Sequence, residues 1–522
     1  MLNQLTPITI IGIIAAYFLL LILVSLLTSR RADNEDFFLA GRKSPWFLVA
    51  FGMIGASLSG VTFISIPGVV GADGANKAFS YLQLVFGYLL GYIVIAQVLM
   101  PLYYRLNLTS IYTYLEERLG FYSYKTGAAF FLLSRVIGSS FRLYLVAVVL
   151  YHFVFGPMGE MIDLTAQSSF LIKLLKYIAL ALTSFEGTVA ITILLIWVYT
   201  FKGGIKTIVW TDTLQTIAMI TAVVLTIVGI GQALETNVSG MIGMIRASDY
   251  SQVFFFKGGW NDPNNFFKQF ISGALITIVM TGLDQDMMQK NLSCKNIRDA
   301  QKNMYTFSVV LVFVNVLFLT LGALLYLYAA SIGVSVPEQT DQLYPLIALK
   351  HLAPSVGILF IIGLIAAAYS SADSALTALT TSFCVDFLDF QKKEIPEEEK
   401  IKQRRMVHIG VSIVIFATII AFNAINNTAV ISQLFVAAGY TYGPILGLFA
   451  FGILTSYQVK DKWAWLVCLI APILSYILNA NSANWFWGFQ FGFLIIAVNG
   501  LLTFLGLWLI AEKKPQPTLH PE

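Results

Sequence analysis

The chain has 522 residues, 57% hydrophobic and 11% charged, where soluble globular proteins have roughly 45–50% and about 25%. Most of its apolar surface must therefore face lipid. The net charge of +4 is spread over many short loops rather than one basic stripe, Cys294, Cys384 and Cys468 lie far apart, and the four histidines form no HExxH pattern, so nucleic acid, zinc, haem and disulfide scaffolds are set aside.

A hydrocarbon layer about 30 Å thick needs ~20 apolar residues as helix, because no water is present to satisfy an open backbone. Thirteen runs meet this need: 8 to 28, 46 to 70, 79 to 103, 126 to 154, 187 to 201, 205 to 233, 266 to 289, 304 to 333, 353 to 389, 406 to 424, 429 to 456, 463 to 480 and 488 to 511. The expected fold class is an all-α polytopic membrane protein.

The first run has no basic n-region or AxA-like cleavage site, and Arg30 and Arg31 follow it. It reads as a retained anchor with the N-terminus outside. The second run passes from Phe51-Gly52-Met53-Ile54-Gly55 through Ser57, Leu58, Ser59 and Gly60 to Pro67 and Gly68. A straight helix is not expected there, and unwinding would free carbonyls for an ion. Glycine-mediated helix crossing explains Gly52, Gly55 and Gly60 equally well.

The fourth run carries Arg135 and Arg142, seven apart and so on one helix face. Two readings stand side by side. They could grip an anionic solute, or they could snorkel or pair with a carboxylate such as Asp212 or Asp373. Stretch 155 to 186 reads as an external cap, as does 234 to 265 with its Phe254 to Phe256.

In the sixth run, Asp212 follows Trp210-Thr211, and Lys206, six positions back, lies on the opposite face. A functional Asp212 is the favoured reading, since a charge inside a span needs a reason. The seventh run has Gly282 ahead of Asp284-Gln285 and begins five spans after the second, which points to an inverted five-helix repeat. The ninth run lines one side with Ala367, Ser370, Ser371, Ser374, Thr377 and Thr381, with Asp373 on the edge of the stripe. Hydroxyls in membranes often bond their own carbonyls or glue helices. A stripe of them beside a carboxylate also offers hard oxygen ligands for a small cation.

Lys392 to Arg405 is a solvated loop, and the polar tail after Leu509 is too short for a further domain. With the N-terminus outside, the loops assigned to the cytoplasm hold most of the Lys and Arg, Lys290 among them, as the positive-inside bias requires.

The residues Tyr199-Thr200, Gly203-Gly204, Trp210-Thr211-Asp212, then Gly282-Leu283-Asp284-Gln285 with Gln289 and Ala300-Gln301-Lys302, then Ala367 with Ser370-Ser371, resemble the sodium/solute symporter family from about residue 35 to 455. The resemblance implies a LeuT-like fold with five-plus-five inverted repeats and a broken first helix in the repeat. Residues 1–35 would be an N-terminal anchor and loop, 36–457 the transporter core, and 458–522 two further spans and a tail. It implies a sodium site from carbonyls of Gly55, Leu58 and Ala367 with hydroxyls of Ser370 and Ser371. A second cation site seen in some members would use Asp212, Ser370, Asp373 and Ser374. Asp373 stands where relatives commonly carry Ser; it could bind an ion, a proton or an arginine.

Solute contacts carried over from the family are Ser57, Ser59, Thr62, Phe79, Gln83, Thr277 and Thr281, with Arg135 and Arg142 as candidates for an acidic group. This polar set is similar to that of sialic acid carriers, although neither arginine aligns cleanly with theirs. The function expected is sodium-coupled import of a small polar solute, a sugar, sialic acid or related carboxylate, by alternating access through a plasma or bacterial inner membrane. The working unit expected is a monomer. A sodium-independent or proton-coupled carrier of the same fold is the alternative. A membrane enzyme is disfavoured because Gly55-Ala56-Ser57-Leu58-Ser59 is not GxSxG and His152 and His408 lie near span ends; no appended domain marks a sensor.

Overall fold

A computed structural model describes residues 7–28, 34–160, 162, 170–200, 204–425 and 430–512. Arg30, Arg31, Lys202, Lys513 and Lys514 of the loop charges, and Gly203 of the motif, lie outside the described residues. Among the described residues, ten helices are long and apolar enough to cross a membrane, and three bent pairs, each taken as one span, bring the number to thirteen. In chain order they are α1 (Thr9–Thr28), α2a and α2b (Trp46–Ser57 and Gly60–Val69), α3 (Tyr81–Arg105), α4 (Phe121–Glu160), α5a and α5b (Ile172–Thr183 and Phe185–Val198), α6 (Gly204–Ala233), α7a and α7b (Phe266–Gly282 and Gln285–Leu292), α8 (Ile297–Ser331), α9 (Pro354–Phe387), α10 (Glu397–Ala424), α11 (Val436–Leu454), α12 (Asp461–Trp485) and α13 (Gly492–Leu509).

The two expected breaks are present, five spans apart: α2 bends by 57° and α7 by 64°. The α2 break falls at Leu58-Ser59, and Pro67 lies inside α2b rather than at the kink. A third bend, of 77°, lies in α5, whose first half α5a falls within the stretch 155 to 186 expected to cap the bundle. α5a exposes Leu174, Leu175, Ile178 and Leu182, and its helix is broken from α5b at Ser184.

Apolar periodicity does not say which helices touch; small residues and polar ties do. α9 lies along α6 at the centre of the bundle, with α2a against both. Thr213 and Thr216 of α6 donate to the carbonyls of Leu48 and Phe51, at 3.2 and 2.8 Å, fastening α6 to α2a. α3 and α7a approach backbone to backbone: a Cβ added to Gly91 would stand 2.7 Å from the Ala274 carbonyl oxygen, the contact that small residues permit between membrane helices. α1 packs on the outside of this core, with the rings of Phe18 and Tyr369 4.8 Å apart. At the other end of the chain Asp461 accepts the amides of Tyr122 and Ser123, at 2.7 and 2.8 Å, capping α4, whose first-turn N–H groups have no partner within the helix.

Candidate functional site

The two breaks treat their freed carbonyls differently. In α7 the carbonyls of Gly282 and Leu283 accept the hydroxyls of Tyr103 (2.9 Å) and Tyr112 (2.7 Å). Asp284 caps α7b by accepting the amides of Asp286 and Met287. Gln285 bonds the backbone of Thr109 and Ile111, and Gln289 bonds Phe38 and Thr381. The Asp-Gln motif is thus a set of struts that hold this break in shape.

In α2 the last turn of α2a closes with Leu58 N–H on the Ile54 carbonyl (2.8 Å), and α2b begins with Phe63 N–H on that of Ser59 (3.0 Å). Among the described residues, the carbonyls from Gly55 to Leu58 fall between the two ladders without a backbone donor. A buried carbonyl without a donor is costly. The serine stripe of α9 faces this gap. A Cβ on Gly55 would lie 2.9 Å from Ser370 Oγ and 3.4 Å from the Asp212 carbonyl oxygen, and one on Gly60 would lie 3.7 Å from Ala368 Cα. Ser370 Oγ is buried with no hydrogen-bond partner. Ser371 Oγ donates back to Ala368 (3.0 Å) and Ala367 (3.4 Å), which leaves its lone pairs available. The donor-free carbonyls of Gly55 and Leu58 and the unshared lone pairs of Ser370 and Ser371 are the kinds of hard oxygen that a dehydrated alkali ion requires.

The second expected site is arranged differently. Asp212, Asp373 and Ser374 are all fully buried. Lys290, counted in the sequence as a cytoplasmic loop charge, is a buried residue of α7b, and its Nζ meets Asp212 Oδ2 at 2.6 Å. Hydropathy could not find it, because a lysine at the end of an apolar run looks the same whether it faces water or an acid. Ser374 Oγ reaches the same oxygen at 3.5 Å and Asp373 Oδ1 at 3.2 Å.

Beside the α2 break a cavity of about 90 Å³ is lined by Ser57, Ser59, Thr62, Thr277, Thr281, Arg135 and Arg142. Phe79 and Gln83 do not line it. Both amide atoms of Gln83 are used in loop contacts, Nε2 to the Asn264 carbonyl (2.8 Å) and Oε1 from Phe255 N–H (3.0 Å). In their place the wall carries Tyr81, Tyr88 and Tyr92, with Asn315 opposite. Spacings of seven and four put the tyrosines on one face of α3, a signal already present in the sequence.

The two arginines differ in their partners. Arg135 closes on Asp286 and has Asp284 Oδ2 3.7 Å from Nη1, correcting the pairing anticipated with Asp212 or Asp373. Arg142 is 8% exposed, its Nε has no hydrogen-bond partner, and among the described residues it forms no ion pair.

A helical bundle with two broken spans around an oxygen-lined gap and an adjoining cavity is the architecture of a secondary carrier. The model of the sodium:solute symporter family matches residues 37–461, and the chain belongs to that family. It is a multi-pass, sodium-coupled symporter of small solutes with the LeuT-like fold. It is 25% identical over 496 residues to the sodium/sialic acid symporter NanT of Aliivibrio fischeri, covering 91% of this chain and 88% of NanT. It is also 25% identical over 438 residues to sodium-coupled monocarboxylate transporter 2 of Danio rerio, covering 81% of this chain and 63% of that protein. Among solved structures, a substrate-bound, outward-open Na+-coupled sialic acid symporter superposes with a TM-score of 0.78 at 20% identity, over 97% of this chain and 99% of that one.

Proposed function

We propose that this symporter imports a small organic carboxylate, held by Arg142 and by the hydroxyls around the α2 break. The observation that carries this reading is the contrast between Arg135, neutralised by Asp286, and Arg142, which lines the cavity with no carboxylate of its own. A desolvated guanidinium with no carboxylate in contact is unfavourable, so the acid that pairs with it arrives with the solute. Ser57, Ser59, Thr62, Thr277 and Thr281 offer hydroxyls to the solute's polar groups, and Tyr81, Tyr88 and Tyr92 supply ring faces with polar tips. Arg135 holds the cavity floor by tying α4 to α7b. Gln83 and Phe79 take no part in binding. NanT and the monocarboxylate transporter are named for solutes that share a carboxylate, which supports the assignment.

Sodium enters as co-substrate at Gly55, Leu58, Ala367, Ser370 and Ser371. Leu58 belongs to this set and also lines the cavity. Ion and solute therefore order the same few residues of backbone, so each raises the other's affinity. The working unit is the core of residues 36–457, acting as a monomer, with 1–35 and 458–522 flanking it. The N-terminus lies outside and the C-terminus inside a plasma or bacterial inner membrane; removing Lys290 from the loop charges leaves the inside excess intact. No catalysed reaction is assigned.

The test is thermal stabilisation of the purified protein by matched pairs of carboxylates and their neutral amides, with and without sodium. Stabilisation by the acids alone, and only in sodium, is expected; equal stabilisation by the amides would remove the role given to Arg142.

A further inference from the structure

One side of the cavity beside the α2 break is made by α3, and two of the residues that α3 contributes are linked. Tyr81 opens the helix and Tyr88 follows two turns later, a rise of about 10 Å, yet their hydroxyls meet at 3.1 Å. For the tips to touch over that rise, both side chains must lie along the helix and lean toward each other. The two rings therefore form one bar across the α3 face of the cavity. Tyr92, one turn beyond, is 2% exposed and backed by Phe307 of α8, with ring centroids 5.1 Å apart. The join between α3 and α7a is closed as well: a Cβ on Gly87 would collide with the Phe270 carbonyl oxygen, and one on Gly273 with that of Leu84. Walls in backbone contact cannot part for a longer solute without losing the packing that holds them together.

The space left between them is small, about 90 Å³. A cavity of roughly 150 Å³ takes benzene, so this one takes a solute of about six non-hydrogen atoms at most. The carboxyl group uses half of that allowance. Val61, Ile276, Met280, Met287 and Leu311 complete the lining, an apolar surface that a short chain covers and against which a polyhydroxy chain would leave its hydroxyls unpaired. We propose that the Tyr81–Tyr88 pair is the length gauge of this carrier, and that its solutes are short-chain monocarboxylates of about two to four carbons. A sialic acid, several times larger, does not fit beside the α2 break while the two hydroxyls stay joined. The inference rests on the carboxylate reading above and adds the size of the solute.

Thermal stabilisation of the purified full-length protein in sodium, titrated with propionate, lactate, hexanoate, gluconate and N-acetylneuraminate, tests it. Propionate and lactate are expected to half-saturate at concentrations about tenfold or more below those of the three longer acids. Tyr88→Ala removes the ring and keeps a strong helix former; it is expected to bind hexanoate roughly tenfold more tightly than the wild type does. A wild type that binds any of the longer acids as tightly as propionate would overturn the length limit and leave the carboxylate reading standing. A folded Tyr88→Ala protein that discriminates against hexanoate as the wild type does would overturn the role of the pair. Stabilisation by none of the acids would overturn the carboxylate reading and the length limit with it. Should Tyr88→Ala fail to fold, Tyr88→Phe, which unties the hydroxyls and keeps the ring, is expected to narrow the gap between propionate and hexanoate, and an unchanged gap would overturn the proposal.

Discussion

Arg135 and Asp286 meet across the hinge of a broken helix, the guanidinium of α4 closing on the first turn of α7b. Seven residues further along the same helix, Arg142 lines the cavity without such a partner. Two arginines of identical chemistry and matching helical phase thus differ in their partners, and the proposed roles differ with them: Arg135 holds the site and Arg142 receives the solute's acid.

The two duties predict opposite phenotypes. Arg135→Met strands a buried carboxylate and should lower unfolding stability by about 3–5 kcal/mol, read as a large drop in the melting temperature of the purified protein. Arg142→Met should leave the melting temperature near that of the wild type and abolish the extra stabilisation given by a carboxylate solute. The reverse pattern would exchange the roles.

Ser371 keeps its lone pairs by donating backward into α9. Ser371→Ala should raise the sodium concentration needed for half-maximal stabilisation roughly tenfold, about 1.4 kcal/mol. An unchanged sodium titration would remove Ser371 from the site.

Tyr103 and Tyr112 supply the hydroxyls for the carbonyls freed at the α7 break. Replacing either with Phe leaves a buried acceptor unsatisfied, at about 1–3 kcal/mol each. Thermal denaturation should show that loss while the sodium titration stays where it was. A sodium shift in these variants would mean that the second break, too, ligates the ion.

Gln83 fastens the loop around Phe255 and Asn264 rather than the solute. Gln83→Ala should cost about 1–3 kcal/mol through the unsatisfied Phe255 amide and Asn264 carbonyl, without changing the solute concentration that half-saturates binding. A solute-specific loss of affinity would return Gln83 to the cavity wall.

The thirteen spans, the two breaks and the buried serine stripe of α9 were legible in the sequence because each follows from a local rule: hydropathy over a fixed length, glycine and proline in an apolar run, hydroxyls recurring with helical period. Partnerships between spans were not. Helical phase places Arg135 and Arg142 on one face, yet says nothing of which carboxylate a third helix delivers there, and Asp284 and Asp286 come from a half-helix more than 140 positions away. Lys290 shows the same limit more sharply: its hydropathy is that of a loop lysine, and only the fold brings it to Asp212. Gln83 could be carried over by resemblance because its position matched, but its amide is bonded to loop residues some 180 positions on.

We propose that sodium drives accumulation of a carboxylate through the gap between α2 and α9. Proteoliposomes containing the wild-type protein should concentrate the carboxylate that gives the greatest thermal stabilisation when sodium is supplied outside, and should fall to the protein-free rate when sodium is replaced by choline. Uptake that proceeds equally fast in choline, and stops at equal concentrations on both sides, would contradict it.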